Sequence, residues 1–191
     1  MFENLRRDFP KYTLYGRWYT NSGFWIVAIY RFGMWADSLP NKALQIPMGI
    51  LYHLLKLPFR SNHVLLWAGR RGARIGPGLR LIHPTNVLIG RGVEIGQDCL
   101  IFNDVTLGTG QHHGMPKIGN NVTIYPGARV LGGVVIGDNA MVGANCVVIR
   151  DVPSNSIMLT APSRMIPRSL SSVAREADLR SNKSVEQVQQ K

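Results

Sequence analysis

The sequence predicts a mainly β fold: a parallel β-solenoid of hexapeptides with a helical segment ahead of it. Two observations predict the solenoid. Aliphatic residues recur at steps of six from Ile75 to Val148, and small or β-branched residues recur four positions after each of them. A third predicts the helices: residues 1–72 lack the period of six and carry broad apolar faces instead.

The N-terminal segment comes first. Phe24, Ile26, Val27, Tyr30, Met34 and Trp35 make one helical face, and Ile50, Leu51, Leu54, Leu55 and Leu57 make another. Breaks at Pro40-Asn41 and Pro58 separate them. Such faces pack on each other, on the end of the solenoid or on another subunit. The basic run Lys56, Arg60, Arg70, Arg71 and Arg74 also suits a membrane surface.

The ladder of the solenoid is Ile75, Leu81, Ile89, Ile95, Ile101, Leu107, Ile118, Ile124, Val130, Ile136, Val142 and Val148. Leu79, Thr85, Val93, Cys99, Val105, Val122, Ala128, Val134, Ala140, Cys146 and Val152 follow it four positions on. Neither an amphipathic helix nor a simple strand alternation has this period. Three hexapeptides close a triangular coil with the aliphatic row on its axis. Glycine directly after the aliphatic residue, as at Gly76, Gly96, Gly119 and Gly137, is expected to permit a corner with positive φ.

Two insertions interrupt the ladder. One adds two residues within His83 to Val87, and the other adds five within Gly108 to Pro116. A coil must extrude extra residues, and extruded loops are where function concentrates. The boundaries expected are a helical region over 1–72, the solenoid over 73–168 and a polar tail over 169–191.

Composition narrows the setting. The net charge is +11, from 22 Lys and Arg against 11 Asp and Glu, which favours anionic partners. Aromatics are not interleaved on a basic face, so nucleic acid is not expected. Cys99 and Cys146 make no disulfide framework and no C-x-x-C pair, in keeping with a reducing cytoplasm. The start lacks a signal-peptide pattern. The longest apolar segments, broken by Arg31, His53 and Lys56, fall short of the ~20 residues a spanning helix needs. A cytoplasmic protein is expected, with peripheral contact at the inner membrane face left open.

His83 alone combines an acid-base side chain with an insertion in the repeat. Its imidazole, with an ordinary pKa near ~6.5, can take a proton from an alcohol that attacks a thioester. Followed by Pro84, it can equally cap a corner, and the residues alone leave both readings open. Counting along the same edge places Asn103, Pro126 and Ala144 in one column with it. His112 and His113 lie in the long insertion, and His53 and His63 in the helical region. A zinc site would need three histidines on neighbouring coils, and no metal is expected.

Taken as a set, these residues resemble the serine acetyltransferase branch of the left-handed β-helix acyltransferases. The resemblance runs from Ile75 to Ile166, through Leu81 to Gly90, Val105 to Gly110, Pro116 to Gly119, Gly127 to Gly132 and Ala161 to Ile166. It implies a left-handed β-helix, a homotrimer and acetyl-CoA held in grooves between subunits. It implies His83 as the general base; Asn103, one coil along the same edge, is expected to hydrogen-bond the acceptor or the developing oxyanion, and Asp104 to orient groups in place of the acid absent before His83. On the acetyl-CoA side it implies Gly108, Lys117, Tyr125, Pro126, Gly127, Ala144 and Arg164.

The departures concern the acceptor. Serine acetyltransferases carry an acid directly before the histidine and another fifteen residues before it, where this chain has Ile82 and Ala68. They also place a histidine where this chain has Met115. A desolvated ammonium needs a carboxylate, so the expectation is O-acetylation of a sugar hydroxyl in exopolysaccharide or capsule synthesis. The alternatives are a serine O-acetyltransferase of cysteine synthesis, and a non-enzymatic scaffold or anionic-polymer-binding module.

Overall fold

The period of six folds into three parallel sheets that form the faces of a prism. In the computed structural model, residues 2–13, 17–62, 64–66, 69, 72–110 and 113–161 are described. Sheet A holds, in order, β1 (Leu65–Leu66), β4 (Leu88–Ile89), β7 (Thr106–Gly108), β10 (Arg129–Leu131) and β13 (Val147–Val148); sheet B holds β11 (Val135–Ile136), β8 (Lys117–Ile118), β5 (Glu94–Ile95) and β2 (Arg74–Ile75); and sheet C holds β14 (Ile157–Met158), β12 (Met141–Val142), β9 (Thr123–Ile124), β6 (Leu100–Ile101) and β3 (Arg80–Leu81). The strands are two or three residues long, from β1 (Leu65–Leu66) to β14 (Ile157–Met158). The chain passes from B to C to A in each coil, and the coils wind left-handed.

From β2 to β13 each strand keeps its second residue, an aliphatic one, inward. Ile101, Ile124 and Val142 stack in register on sheet C, and Ile89, Leu107, Val130 and Val148 on sheet A, all with no exposed surface. Fully burying one such side chain contributes about 1.5–3 kcal/mol. One position of the second row differs from expectation. Thr85 is exposed and Val87 is fully buried in its place. The two extra residues leave the coil before Thr85, so the inward position moves two places along.

The corner between sheets B and C also corrects the reading of glycine. Gly76, Gly96, Gly119 and Gly137 do not carry positive φ. They are needed because coils meet there: a Cβ on Gly76 would stand 2.5 Å from the carbonyl oxygen of Gly96. Positive φ falls instead on Asp98, Asn121, Asn139 and Asn155, one per coil. Asn121 donates to Asn139 at 2.9 Å and Asn139 to Asn155 at 3.0 Å, a side-chain ladder along the edge.

The helices cap the first coil. Helix α1 (Phe2–Asp8), α2 (Pro10–Thr13) and α3 (Ser22–Ser38) precede α4 (Lys42–Leu55). Asn21 caps α3 by accepting from the Gly23 N–H, and Asn41 caps α4 by accepting from that of Ala43. Asp8, with 0% exposure, and Arg31, with 4%, form a buried ion pair at 2.9 Å. Both also reach backbone groups of the first coil. Asp8 accepts from Gly78 and Leu79, and Arg31 donates to Ile75 and Gly76. Tyr12 donates to the Leu79 carbonyl and accepts from Leu81, and Tyr30 donates to the Ala73 carbonyl. An open solenoid end would leave such groups unpaired; these four side chains satisfy them.

The chain divides into Met1–Thr160 and Ala161–Lys191. Of the second unit only Ala161 lies among the described residues, so the expected tail 169–191 falls outside them, as do His63, Ala68, His112 and Arg164.

Candidate functional site

The first insertion sits at the corner where the chain leaves sheet C for sheet A. The Ile82 N–H bonds to Ile101, and Thr85 accepts from Asp104, at 2.9 and 2.8 Å. Those ladder bonds bracket the two extruded residues, His83 and Pro84. His83 has φ 47° and its carbonyl accepts from the Thr85 N–H at 2.7 Å, which closes a tight turn. Pro84 is buried beneath it. The His83 residue itself is exposed, and among the described residues its ring makes no hydrogen bond. A backbone fixed on both sides thus sets His83 outside the coil.

This geometry corrects the column read from spacing. Asn103, Pro126 and Ala144 do stack: Gly127 bonds to Asn103 and Asn145 to Pro126, at 3.2 and 2.9 Å. The member from the first coil is Thr85, and His83 stands outside the row. The following row, Asn86, Asp104, Gly127 and Asn145, has positive φ throughout. A side chain on Gly127 would collide with the Asn145 amide.

Asp104 lies on this corner but is paired with Arg129, its Oδ1 3.7 Å from Arg129 Nη2, while Arg129 Nη1 donates to Thr106 Oγ1 at 2.9 Å. Among the described residues it makes no hydrogen bond to His83. Two further residues went unnoticed in the sequence. Phe102 stacks on Tyr125 from the next coil, with centroids 5.3 Å apart and planes at 11°. Arg129 answers Asp104. The signal for the stack was present, since Phe102 and Tyr125 both directly follow a ladder residue.

The remaining acetyl-CoA candidates lie elsewhere. Gly108 ends β7 (Thr106–Gly108) on sheet A, and Lys117 opens β8 (Lys117–Ile118) on sheet B. They flank the second insertion, at the corner from A to B. Lys117 is exposed, with its ammonium 4.0 Å from Glu94. Gly110 and Gly114 bring the roots of this loop against Gly132 and Gly133; an added Cβ at either would stand 2.9 Å from that pair. His113 is exposed on the loop. A single chain therefore gathers His83, Asn103, Asp104, Tyr125, Pro126, Gly127 and Ala144 at one corner, and sets Gly108 and Lys117 at another. Among the described residues no group of three His, Cys, Asp or Glu could hold a metal ion. Burial pushes the Cys99 thiol up to about 11, so it is an inert core residue.

Comparison with known proteins places this arrangement. Residues 115–150 match the bacterial transferase hexapeptide (six repeats). A serine acetyltransferase of Synechococcus elongatus is 46% identical over 101 residues, 51% of this chain and 41% of that protein. The chain spans about half the length of the curated relatives it matches. Among solved structures, soybean serine acetyltransferase complexed with serine aligns with a TM-score of 0.67 at 28% identity, over 86% of this chain and 68% of that one. A serine acetyltransferase in complex with CoA aligns with the same TM-score at 26% identity, over 86% and 68%.

These relatives overturn the expectation of a sugar hydroxyl as acceptor. That expectation rested on the acids absent at Ile82 and Ala68. Asp104 stands one coil along on the same corner, with a partly exposed side chain.

Proposed function

We propose that the protein is an acetyl-CoA-dependent serine O-acetyltransferase with His83 as general base. The observation that carries the reading is the exposed, extruded His83 at a backbone-fixed corner, its ring without a hydrogen bond among the described residues; similarity to serine acetyltransferases supports the substrates. The serine hydroxyl gives its proton to a ring nitrogen of His83 as its oxygen attacks the acetyl carbon. The tetrahedral intermediate collapses, the C–S bond breaks, and the CoA sulfur leaves with the proton that His83 returns. O-acetylserine and CoA are the products, and no acetyl-enzyme forms. Asp104 receives the substrate ammonium in place of the acids absent at 68 and 82, and Asn103 donates to the developing oxyanion.

Acetyl-CoA lies along the Tyr125, Pro126, Gly127 and Ala144 edge, with Gly108 lining it and Lys117 and Arg164 toward its phosphates. Because Gly108 and Lys117 stand at a different corner from His83, one chain does not complete this site. A homotrimer, each corner meeting the loop side of its neighbour, does.

Thiol release from acetyl-CoA tests the acceptor. L-serine should support turnover, and Asp104→Asn should raise KM for serine about tenfold or more with little change for acetyl-CoA, as expected when an ammonium loses its charge partner. No turnover with serine above background hydrolysis would overturn the assignment.

A further inference from the structure

Asp104 and Arg129 stand side by side without closing on each other. Arg129 Nη2 lies 3.7 Å from Asp104 Oδ1, beyond hydrogen-bond reach, and both side chains are partly exposed. Among the described residues no group donates to either side-chain oxygen of Asp104, and Arg129 donates from Nη1 alone, to Thr106 Oγ1 at 2.9 Å. A guanidinium carries five N–H donors in a planar fork, so most of this one is unused. An exposed pair of this kind contributes little to stability, and it leaves both partners with capacity for a ligand.

The solenoid fixes where the two charges stand. Asp104 sits one coil on from the His83 turn, its N–H bonded to the Thr85 carbonyl at 2.8 Å. Arg129 opens β10 on the following coil, in register with Thr106, and its hydrogen bond to Thr106 draws the guanidinium back toward the coil that holds Asp104. Base, carboxylate and guanidinium thus come from three successive coils, stacked at the ~4.8 Å spacing of neighbouring strands.

We propose that Arg129 anchors the carboxylate of the acceptor, so that Asp104 and Arg129 together select an α-amino acid zwitterion. The proposal rests on the serine O-acetyltransferase reading and adds to it the group that tells a free amino acid from another amino alcohol. In an α-amino acid the ammonium and the carboxylate share one carbon, and this pair offers the complementary charges at similarly close range. With the ammonium on Asp104 and the carboxylate on Arg129, the hydroxymethyl group is the substituent left for His83. Arginine suits the task because its fork meets a carboxylate through two parallel N–H bonds.

Thiol release from acetyl-CoA is followed with L-serine and with serinol, in which a second hydroxymethyl group replaces the carboxylate. Wild type should prefer L-serine by about tenfold or more in kcat/KM, the range for a hydrogen-bonded charge. Arg129→Met should bring the two acceptors nearly level by weakening L-serine alone, with KM for acetyl-CoA and circular dichroism unchanged, and Arg129→Lys should restore part of the preference. Asp104→Asn should weaken both acceptors alike, since both carry the ammonium. Should Arg129→Met lose its circular dichroism, Thr106→Val, which removes the bond that aims the guanidinium, is read in the same way. Equal use of L-serine and serinol by wild type, or a folded Arg129→Met protein that keeps the preference or loses both acceptors equally, overturns the inference and leaves the serine reading standing. Wild type that turns over neither acceptor overturns both.

Discussion

Ile124, on the axis of the solenoid, and Arg31, in the helical cap, are both buried, and they are held there by opposite means. Ile124 is one of a stack, in register between Ile101 and Val142. Arg31 occurs once, and its guanidinium ties Asp8 and two backbone carbonyls of the first coil together. The solenoid thus spreads its stability over a repeated apolar row, whereas the cap concentrates it in a few polar groups that satisfy an edge.

The sharpest way to break this contrast is at Asp8. Removing its carboxylate leaves a buried guanidinium without a counter-charge and two N–H groups without an acceptor. Asp8→Ala is expected to cost about 3–5 kcal/mol in denaturant unfolding. Replacing the pair by Leu and Met, which would relieve an ion pair serving only itself, should not restore stability, because Gly78, Leu79, Ile75 and Gly76 still lose their partners. A double variant as stable as wild type would show that the cap holds by packing alone. In the solenoid, Ile124→Val removes one methylene from a repeated row and should cost about 0.5–1.5 kcal/mol; a loss as large as at Asp8 would mean that the coils do not share the load.

The smallest expected effect is on pH dependence. Burial holds the Tyr30 hydroxyl up to about 12 and the Cys99 thiol up to about 11, and raises that of Tyr12 still further. In the unfolded chain these groups ionise near ~9 to ~10. Their contribution is therefore complete below pH ~9 and is lost as pH rises toward ~12, because the unfolded chain releases protons that the fold retains. Melting temperature should fall over that window, and Tyr30→Phe should make the fall shallower.

The same contrast decides what could be read in the sequence. The axis of the solenoid is legible because a side chain that recurs every six residues announces its neighbours. Thr85 was misplaced by two because a period locates an insertion without saying which residues leave the coil; the buried Val87 does. Asp8 and Arg31 lie 23 residues apart with no repeat to link them, so their pairing has no signature in the chain. At the site, the exposure and insertion of His83 were legible. The acceptor was not, because the acids absent at 68 and 82 argue against serine, whereas the likeness to serine acetyltransferases lies in the whole set of residues and in no single spacing.

The central claim is that the extruded corner supplies the base, and turnover with L-serine by wild type, His83→Ala and His113→Ala tests it most directly. Loss of His83 should lower kcat about 10²- to 10⁴-fold, the range for removing a general base, with KM for acetyl-CoA nearly unchanged, while loss of His113 should have a much smaller effect. A His83→Ala enzyme that turns over near the wild-type rate beside an inactive His113→Ala enzyme would contradict the account and move the base to the loop.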